Sequence, residues 1–412
     1  MTLNSVLLVT PTWTRDGGVA THSMASAALL AENGLHVNVL AARVEPGAAV
    51  PGVTLFESRQ LFDATASPDV RVGDALSSQP SAIHAHQFND PEVVEFMQVH
   101  APVVLSAHGY TACTSGVHYF RPGQECPRPH GPGCVPNVAL RGCAHSRHVR
   151  SWPATYKRTT RAREALRRAD LAISYSSAVD RHLSVNGVTR RKVIPLFSTM
   201  LPATGSGHAT RRRVVFAGRV VAPKGVGVLI RAARDVNAEF VICGDGFGLE
   251  AMRRLARRLG VDQRVCFRGW LSADELAQEL ADASVVAIPS VWPEPFGLVG
   301  IEALAAGRPV VASATGGIGD WLEDGVSGLF VKPGDPRALS QAQNELLADP
   351  ARQRAMGAAG KRLVAARFAP QHHLAALLDA YRIARSTWGA TRRGGVTEIA
   401  TPAAAPGVAG QA

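Results

Sequence analysis

Short apolar runs separated by stretches of helical period set the pattern of this chain. Val6 to Thr10 reads as a buried strand, Val19 to Leu30 has helical spacing, Gly34 stops that helix, and Val37 to Leu40 resumes as strand. This is a βαβ unit. Further strands are expected at Ala82 to Ala85, Val103 to Ser106, Leu171 to Ser174 and Val193 to Leu196, with helical or loop stretches between them. Such alternation predicts a parallel, doubly wound sheet, because parallel neighbours need long crossovers.

The same plan starts again after Pro202-Ala203-Thr204-Gly205-Ser206-Gly207, whose small and turn-forming residues read as a linker. Strands are expected at Val214 to Ala217, Phe240 to Cys243, Val265 to Phe267, Val285 to Pro289 and Val310 to Ala312. Leu374, Leu377, Leu378 and Tyr381 are spaced i, i+3, i+4, i+7 and predict a final amphipathic helix packing back on the body. The segment 389–412, rich in Gly, Ala, Pro and Thr, cannot bury enough apolar surface to offset its chain entropy. The expected organisation is α/β: a first Rossmann-like domain over 1–200, a second over 208–367, a helix over 368–388 and a disordered tail. Two such sheets joined by one linker leave a cleft between their carboxyl ends.

With 46% hydrophobic and 19% charged residues in 412, both domains can build a core. No apolar run approaches the roughly 18 to 20 residues that span a bilayer. The apolar start is too short, and lacks the basic lead, for a signal peptide, so a cytoplasmic location is expected. The formal charge of +11 comes from clusters: Arg211 to Arg213, Arg253-Arg254 with Arg257-Arg258, and a run from Arg158 to Arg168. Such charge attracts a donor diphosphate, lipid head groups or nucleic acid alike. A solvated helix face is the simplest account, with peripheral contact at the inner face of a membrane as the other. No basic motif with interleaved aromatics points to nucleic acid.

Candidate chemistry falls at strand-to-helix turns. Gly17-Gly18 lets backbone N–H groups approach a ligand at a helix N-terminus, although a tight turn alone also accounts for the pair. A dinucleotide dehydrogenase needs G-x-G-x-x-G there; the first turn lacks it, and Gly244-Asp245-Gly246-Phe247-Gly248 puts Leu249 where the third glycine belongs. Arg219 and Lys224 sit near the carboxyl edge of a second-domain strand, where a guanidinium fork and an ammonium can hold a diphosphate. Glu294 lies on a loop stiffened by Pro293 and Pro295, and Glu302 on the short helix expected from about Gly297 to Ala306. These carboxylates can accept hydrogen bonds from sugar and ribose hydroxyls, and the N–H groups around Gly297 and Leu298 can face an anion.

The Glu294-x7-Glu302 array, the following Ala305-Ala306-Gly307-Arg308-Pro309-Val310-Val311-Ala312-Ser313, and Thr315-Gly316-Gly317 resemble the signature of glycosyltransferase family 4. Gly218-Arg219 with Lys224-Gly225, Gly244-Asp245-Gly246 and Asp324-Gly325 through Val331 resemble its other donor-domain motifs. The resemblance implies a two-domain GT-B fold, retention of anomeric configuration, a UDP-, GDP- or ADP-sugar co-substrate and no required cofactor or divalent metal. It implies that Arg219 and Lys224 bind the diphosphate, Glu294 the donor sugar and Glu302 the ribose. It also implies that Gly17-Gly18 lies near donor phosphate and acceptor, and that His108 is the active-site histidine, able to stabilise positive charge at the donor carbon or to bond a sugar hydroxyl. The family shows no agreed nucleophile, so no covalent role falls to Glu294. Two departures stand out: Pro195-Leu196-Phe197 where Pro-Asn-Gly is common, and Asp320 where Glu is usual.

Cys113, Cys126, Cys134 and Cys143 lie in an insertion at about 110–150 that follows His108 and is expected to overhang the cleft from the acceptor side. Clustered thiols in a cytosolic chain suggest zinc before disulfides, but long spacings without a C-x2-C pair favour loop packing. Cys243 and Cys266 read as small core residues. The leading expectation is a hexosyltransferase acting on a polysaccharide precursor, glycolipid precursor or natural product. The alternatives are a GT-B nucleotide-sugar epimerase, a phosphorylase-like enzyme, and a non-catalytic binder of anionic surfaces or nucleic acid.

Overall fold

The computed structural model describes residues 3–14, 17–88, 90–113, 125–141, 143, 149–198 and 211–394. The first domain runs β1 (Ser5–Trp13), α1 (Gly18–Glu32), β2 (His36–Val44), β3 (Val53–Glu57), α2 (Pro68–Leu76), β4 (Ala82–His86), α3 (Pro91–His100), β5 (Val103–Ala107), α4 (Cys134–Arg141), α5 (Trp152–Arg168), β6 (Leu171–Ser174), α6 (Ser177–Val185) and β7 (Arg191–Val193). Its strands pair in parallel in the order β3-β2-β1-β4-β5-β6-β7.

The second domain runs β8 (Arg213–Ala217), α7 (Val226–Ala232), β9 (Glu239–Cys243), α8 (Leu249–Arg258), β10 (Val265–Gly269), α9 (Ala273–Ala281), β11 (Val285–Ile288), α10 (Leu298–Ala305), β12 (Val310–Ser313), β13 (Gly328–Val331), α11 (Pro336–Ala348) and α12 (Pro350–Arg367). Its parallel order, β10-β9-β8-β11-β12-β13, repeats the first six strands of the other sheet. The strand order reverses between β1 and β4 in one domain and between β8 and β11 in the other. Ligands of open α/β sheets bind at the carboxyl ends beside such reversals.

Each sheet is buried on both faces, which is why its strands are runs of Val, Ile, Leu and Ala rather than alternating patterns. Leu7, Val9, Ile83 and Leu105 face one core of the first domain; Val6, Leu8, Ala82 and Val104 face the other. That second core is closed by α13 (Pro370–Gly394), which brings Leu374, Leu377 and Tyr381 against the first sheet. The helix expected to end at 388 thus runs on to Gly394. The last strand of the first domain lies at Arg191–Val193 rather than Val193 to Leu196, since Pro195 has no N–H for a ladder. β3 carries only intermediate and exposed positions and was not anticipated. Cys266 is exposed, against expectation, because β10 is an edge strand, whereas Cys243 is buried and its thiol is pushed up to about 12 by that burial. The expected linker at 202–207, and the tail beyond 394, lie outside the described residues.

Candidate functional site

Gly17-Gly18, Arg219, Lys224, Glu294 and Gly297-Leu298 follow strands beside the two reversals, whereas His108 follows β5, one strand further on, and Glu302 lies within α10. After β8, Gly218 and the exposed Arg219 lead into a turn that ends at Lys224 and Gly225. Gly225 has φ 74°, and a Cβ there would lie 1.8 Å from the carbonyl oxygen of Pro289, so only glycine lets this turn close on the β11 edge. Lys224 is thereby delivered to Glu294. Its Nζ donates to both carboxylate oxygens, at 2.7 and 2.9 Å, and lies 5.8 Å from the centre of the Trp292 ring.

Glu294 is 2% exposed. Its Oε1 also accepts from Ser290 Oγ at 2.5 Å and Trp292 Nε1 at 3.1 Å. A buried carboxylate needs such a set of donors, and here they fix its orientation. The Thr-Gly-Gly motif supports it from behind: Gly317 N donates to the Glu294 carbonyl at 2.7 Å, and a Cβ on Gly316 would lie 2.2 Å from that oxygen. Gly297, at φ 90°, caps α10 without a side-chain partner for the first-turn N–H groups, and Leu298 begins the helix. Glu302, on the same helix, is half-buried, and enclosure of its carboxyl raises its pKa to about 7. That carboxyl has no ion-pair or hydrogen-bond partner among the described residues.

In the first domain Gly17 (φ 96°) caps α1, and a Cβ on Gly17 or Gly18 would meet nothing within 4 Å; their neighbours Arg15 and Asp16 lie outside the described residues. His108 follows β5, half-buried, with its Nε2 2.8 Å from Nδ1 of His86 at the end of β4. Burial, and then the neighbouring His86, hold the His108 pKa well below 6.5. The loop bearing His108 abuts the loop bearing Glu294: a Cβ on Gly109 would lie 3.5 Å from Pro295, and the Tyr110 and Trp292 rings stand edge to face at 6.5 Å. Burial pushes the Tyr110 hydroxyl up, and Glu125, Glu294 and Asp320 add to it, so acidic groups of the insertion and of the second domain converge there.

Sequence reasoning missed what surrounds His108. His22, His84, His86, His108 and His373 form one cluster with Tyr175 and Tyr381. His84 bonds Tyr381 Oη at 2.9 Å and Ser106 Oγ at 2.7 Å, and Tyr175 Oη donates to the same Ser106. The signal was present: His84 and His86 stand two apart in an otherwise apolar strand, hence on one face of the sheet. Phe197, at the departure from Pro-Asn-Gly, packs on His22 and His373, and the Pro195 carbonyl lies 2.8 Å from His373 Nδ1. The other departure joins the domains. Asp320 accepts from N and Oγ of Ser177, both at 2.6 Å, at the start of α6.

The four insertion cysteines are half-buried, and none is in a disulfide. Burial raises the Cys126 thiol pKa, and nearby Cys113 and Cys134 raise it further, yet no group of three His, Cys, Asp or Glu among the described residues is arranged to hold a metal. Of these cysteines, Cys113 packs on the first core. Residues 114–124, 142 and 144–148 of the insertion lie outside the described residues.

Most of the arginine run of α5 is spent internally: Arg161 pairs with Asp90 and Glu92, Arg168 with Glu95 and Glu164, and Arg163 donates to the His130 carbonyl, while Arg158 stays exposed. Arg254, Arg257 and Arg258 of α8 stay exposed. Among the described residues no helix is long and apolar enough to cross a membrane.

Residues 205–363 match the family Glycosyl transferases group 1, so the second domain is a domain of that family and the resemblance read from the motifs is borne out. A D-inositol 3-phosphate glycosyltransferase of Xylanimonas cellulosilytica is 33% identical over 267 residues, 61% of each chain; the present chain thus spans less than two thirds of that relative. Among solved structures, sucrose-phosphate synthase of Thermosynechococcus elongatus superposes with a TM-score of 0.71 at 22% identity, covering 94% of this chain and 100% of its own. HepE of Anabaena, solved with UDP, superposes with a TM-score of 0.69 at 20% identity, covering 92% and 99%. These likenesses establish the GT-B fold over nearly the whole chain.

Proposed function

We propose that this chain is a retaining glycosyltransferase that moves a hexosyl unit from a nucleotide-diphosphate sugar to an acceptor hydroxyl. The observation that carries the reading is buried Glu294 held by half-buried Lys224, with exposed Arg219 and a Glu302 unpaired among the described residues, at one sheet's reversal and abutted by the His108 loop of the other. In this reading Arg219 supplies a fork and Lys224 a point charge to the diphosphate, so the positive charge that stabilises the leaving group comes from side chains. The N–H groups at Gly297 and Leu298 add the helix N-terminus. Glu302 accepts from the ribose.

Glu294 is oriented for hydroxyl contact, not attack. Oε1 accepts three hydrogen bonds, whereas among the described residues Oε2 accepts only from Lys224 and keeps capacity for a sugar hydroxyl. A carboxylate so held is a poor nucleophile, which favours same-face displacement in which the departing phosphate takes the acceptor proton. His108, kept neutral, bonds the transferring sugar from the other domain, and Gly17-Gly18 leaves room for donor phosphate and acceptor.

A UDP-sugar is the first donor to test, because a structural neighbour was solved with UDP. A phosphorylated polyol is the first acceptor, because a relative is named for D-inositol 3-phosphate. In this reading the enzyme works in the cytoplasm, with the exposed α8 arginines available to anionic head groups or acceptors. The test is nucleotide release and sugar loss from UDP-, GDP- and ADP-sugars, with and without acceptor, in wild type, Glu294→Ala and Arg219→Ala. Donor-selective turnover that disappears in both variants is expected; absence of binding and turnover for every nucleotide sugar by folded protein would overturn the reading.

A further inference from the structure

The five-histidine cluster is not needed to build a core; Leu or Phe would fill the same space without buried polar atoms to satisfy. One of its hydrogen bonds reaches His108. His86 is fully buried at the end of β4, its Nδ1 is 2.8 Å from His108 Nε2, and its own Nε2 is buried without a partner among the described residues. Burial holds the His86 pKa at about 3, so the pair shares one hydrogen bond between two neutral rings.

Two tautomer arrangements satisfy that bond. In one, His108 donates from Nε2, and His86 accepts at Nδ1 and carries its proton on Nε2. This strands an N–H in the interior, and orphaned buried N–H groups are rare and costly. In the other, His86 carries its proton on Nδ1 and donates it to His108 Nε2. Only a lone pair is then left on His86 Nε2, and His108 must carry its proton on Nδ1, the nitrogen with no partner among the described residues.

We infer that His86 is a positioning residue that fixes His108 as its Nδ1–H tautomer, so that His108 meets its ligand as a hydrogen-bond donor and not as a base. The second ring nitrogen of a functional histidine sets which proton the first presents. Packing holds the geometry: His86 lies between His84, at 4.3 Å between ring centres, and His108, at 5.1 Å, with His22 edge-on to both His86 and His108. A donor at this place suits the oxygen of a sugar hydroxyl or of a phosphate. It cannot remove the acceptor proton, which leaves that task to the departing phosphate. The inference rests on the placement of His108 in the transfer site.

The test pairs a spectroscopic readout with kinetics in the full chain. Imidazole nitrogen NMR on selectively labelled protein at pH 7.5 is expected to find His108 neutral and protonated at Nδ1. His86→Asn keeps a donor N–H where Nδ1 stands and should preserve both this signature and kcat. His86→Asp offers only an acceptor and should move the proton to Nε2, with kcat falling on the order of 10- to 100-fold, the usual cost of losing a residue that orients a functional histidine. His86→Phe should lower kcat similarly while donor KM changes less than kcat. A His108 protonated at Nε2 in wild type, or unchanged kcat in folded His86→Asp, would overturn the inference. If the tautomer is as expected but no nucleotide sugar is turned over, the proposed function fails while the tautomer assignment stands.

Discussion

The two sheets repeat one strand order, yet their carboxyl edges hold opposite chemistry. The first gathers imidazoles and phenols that burial keeps neutral: the His86 pKa lies at about 3 and that of His373 at about 4. The second gathers charge, a buried Glu294 with Lys224 across it, an exposed Arg219 and a Glu302 whose pKa is raised to about 7. A diphosphate demands fixed positive charge and a sugar ring demands neutral donors and acceptors. In the proposed function the same scaffold meets both, because the loops after its strands vary independently of the core.

The largest effect expected from this contrast is in acid. An unfolded histidine takes up a proton near pH 6.5, whereas the five clustered ones resist it when folded, so stability present above pH 6.5 is lost as pH falls towards 4. Each histidine can contribute up to ~1.4 kcal/mol per pH unit. Urea unfolding at pH 7.5, 6.5 and 5.5 should therefore show a steep decline; a flat profile would mean that the cluster is hydrated or charged. Glu302 works the other way: its folded form holds a proton between about pH 4.5 and 7, so it adds stability as pH falls through that window, and Glu302→Gln should steepen the acid decline.

Next in size, Glu294→Ala removes a buried carboxylate from three partners and should lower transfer on the order of 10³-fold, with a loss of stability because Lys224 is left unpaired. Arg219→Ala should weaken nucleotide-sugar binding by about 10- to 100-fold, the range for hydrogen bonds to charged groups, with no change in melting temperature because the side chain is exposed. Equal loss of stability in both variants would erase the distinction between a structural and a purely ligand-directed charge. Donor affinity should also fall by up to ~10-fold per pH unit below 7 as Glu302 is protonated, since ribose hydroxyls favour the carboxylate; Glu302→Gln should abolish that slope. Smallest, Ser177→Ala breaks one of the two bonds to Asp320 across the domains and should cost about 1 kcal/mol, read as a modest shift in thermal unfolding.

The second edge was largely legible in the sequence, because Arg219, Lys224, Glu294 and Glu302 occur at fixed offsets around strand runs whose ends are marked by glycine and proline. What periodicity did not reveal was that Lys224 and Glu294 hold each other, since their contact depends on how close the Gly225 turn comes to Pro289. The first edge was barely legible. His108 could be singled out, but His22, His84, His86 and His373 come from α1, β4 and α13 and meet only once α13 folds back from the end of the chain. Asp320 read as a mere departure from a pattern, and its partner Ser177 lies 143 positions away. Pattern rules see neighbours along one element; the histidine cluster and the interdomain bond are products of topology.

The measurement that tests the central claim most directly is donor binding and transfer measured side by side on wild type, Arg219→Ala and His108→Ala. If the charged edge holds the donor and the neutral edge serves the transferring sugar, Arg219→Ala loses donor affinity, while His108→Ala keeps affinity within a few-fold and loses turnover on the order of 100-fold, the lower range for a group acting in the transition state. Full turnover by His108→Ala, or equal loss of donor affinity in both variants, would contradict the division of labour between the two sheets.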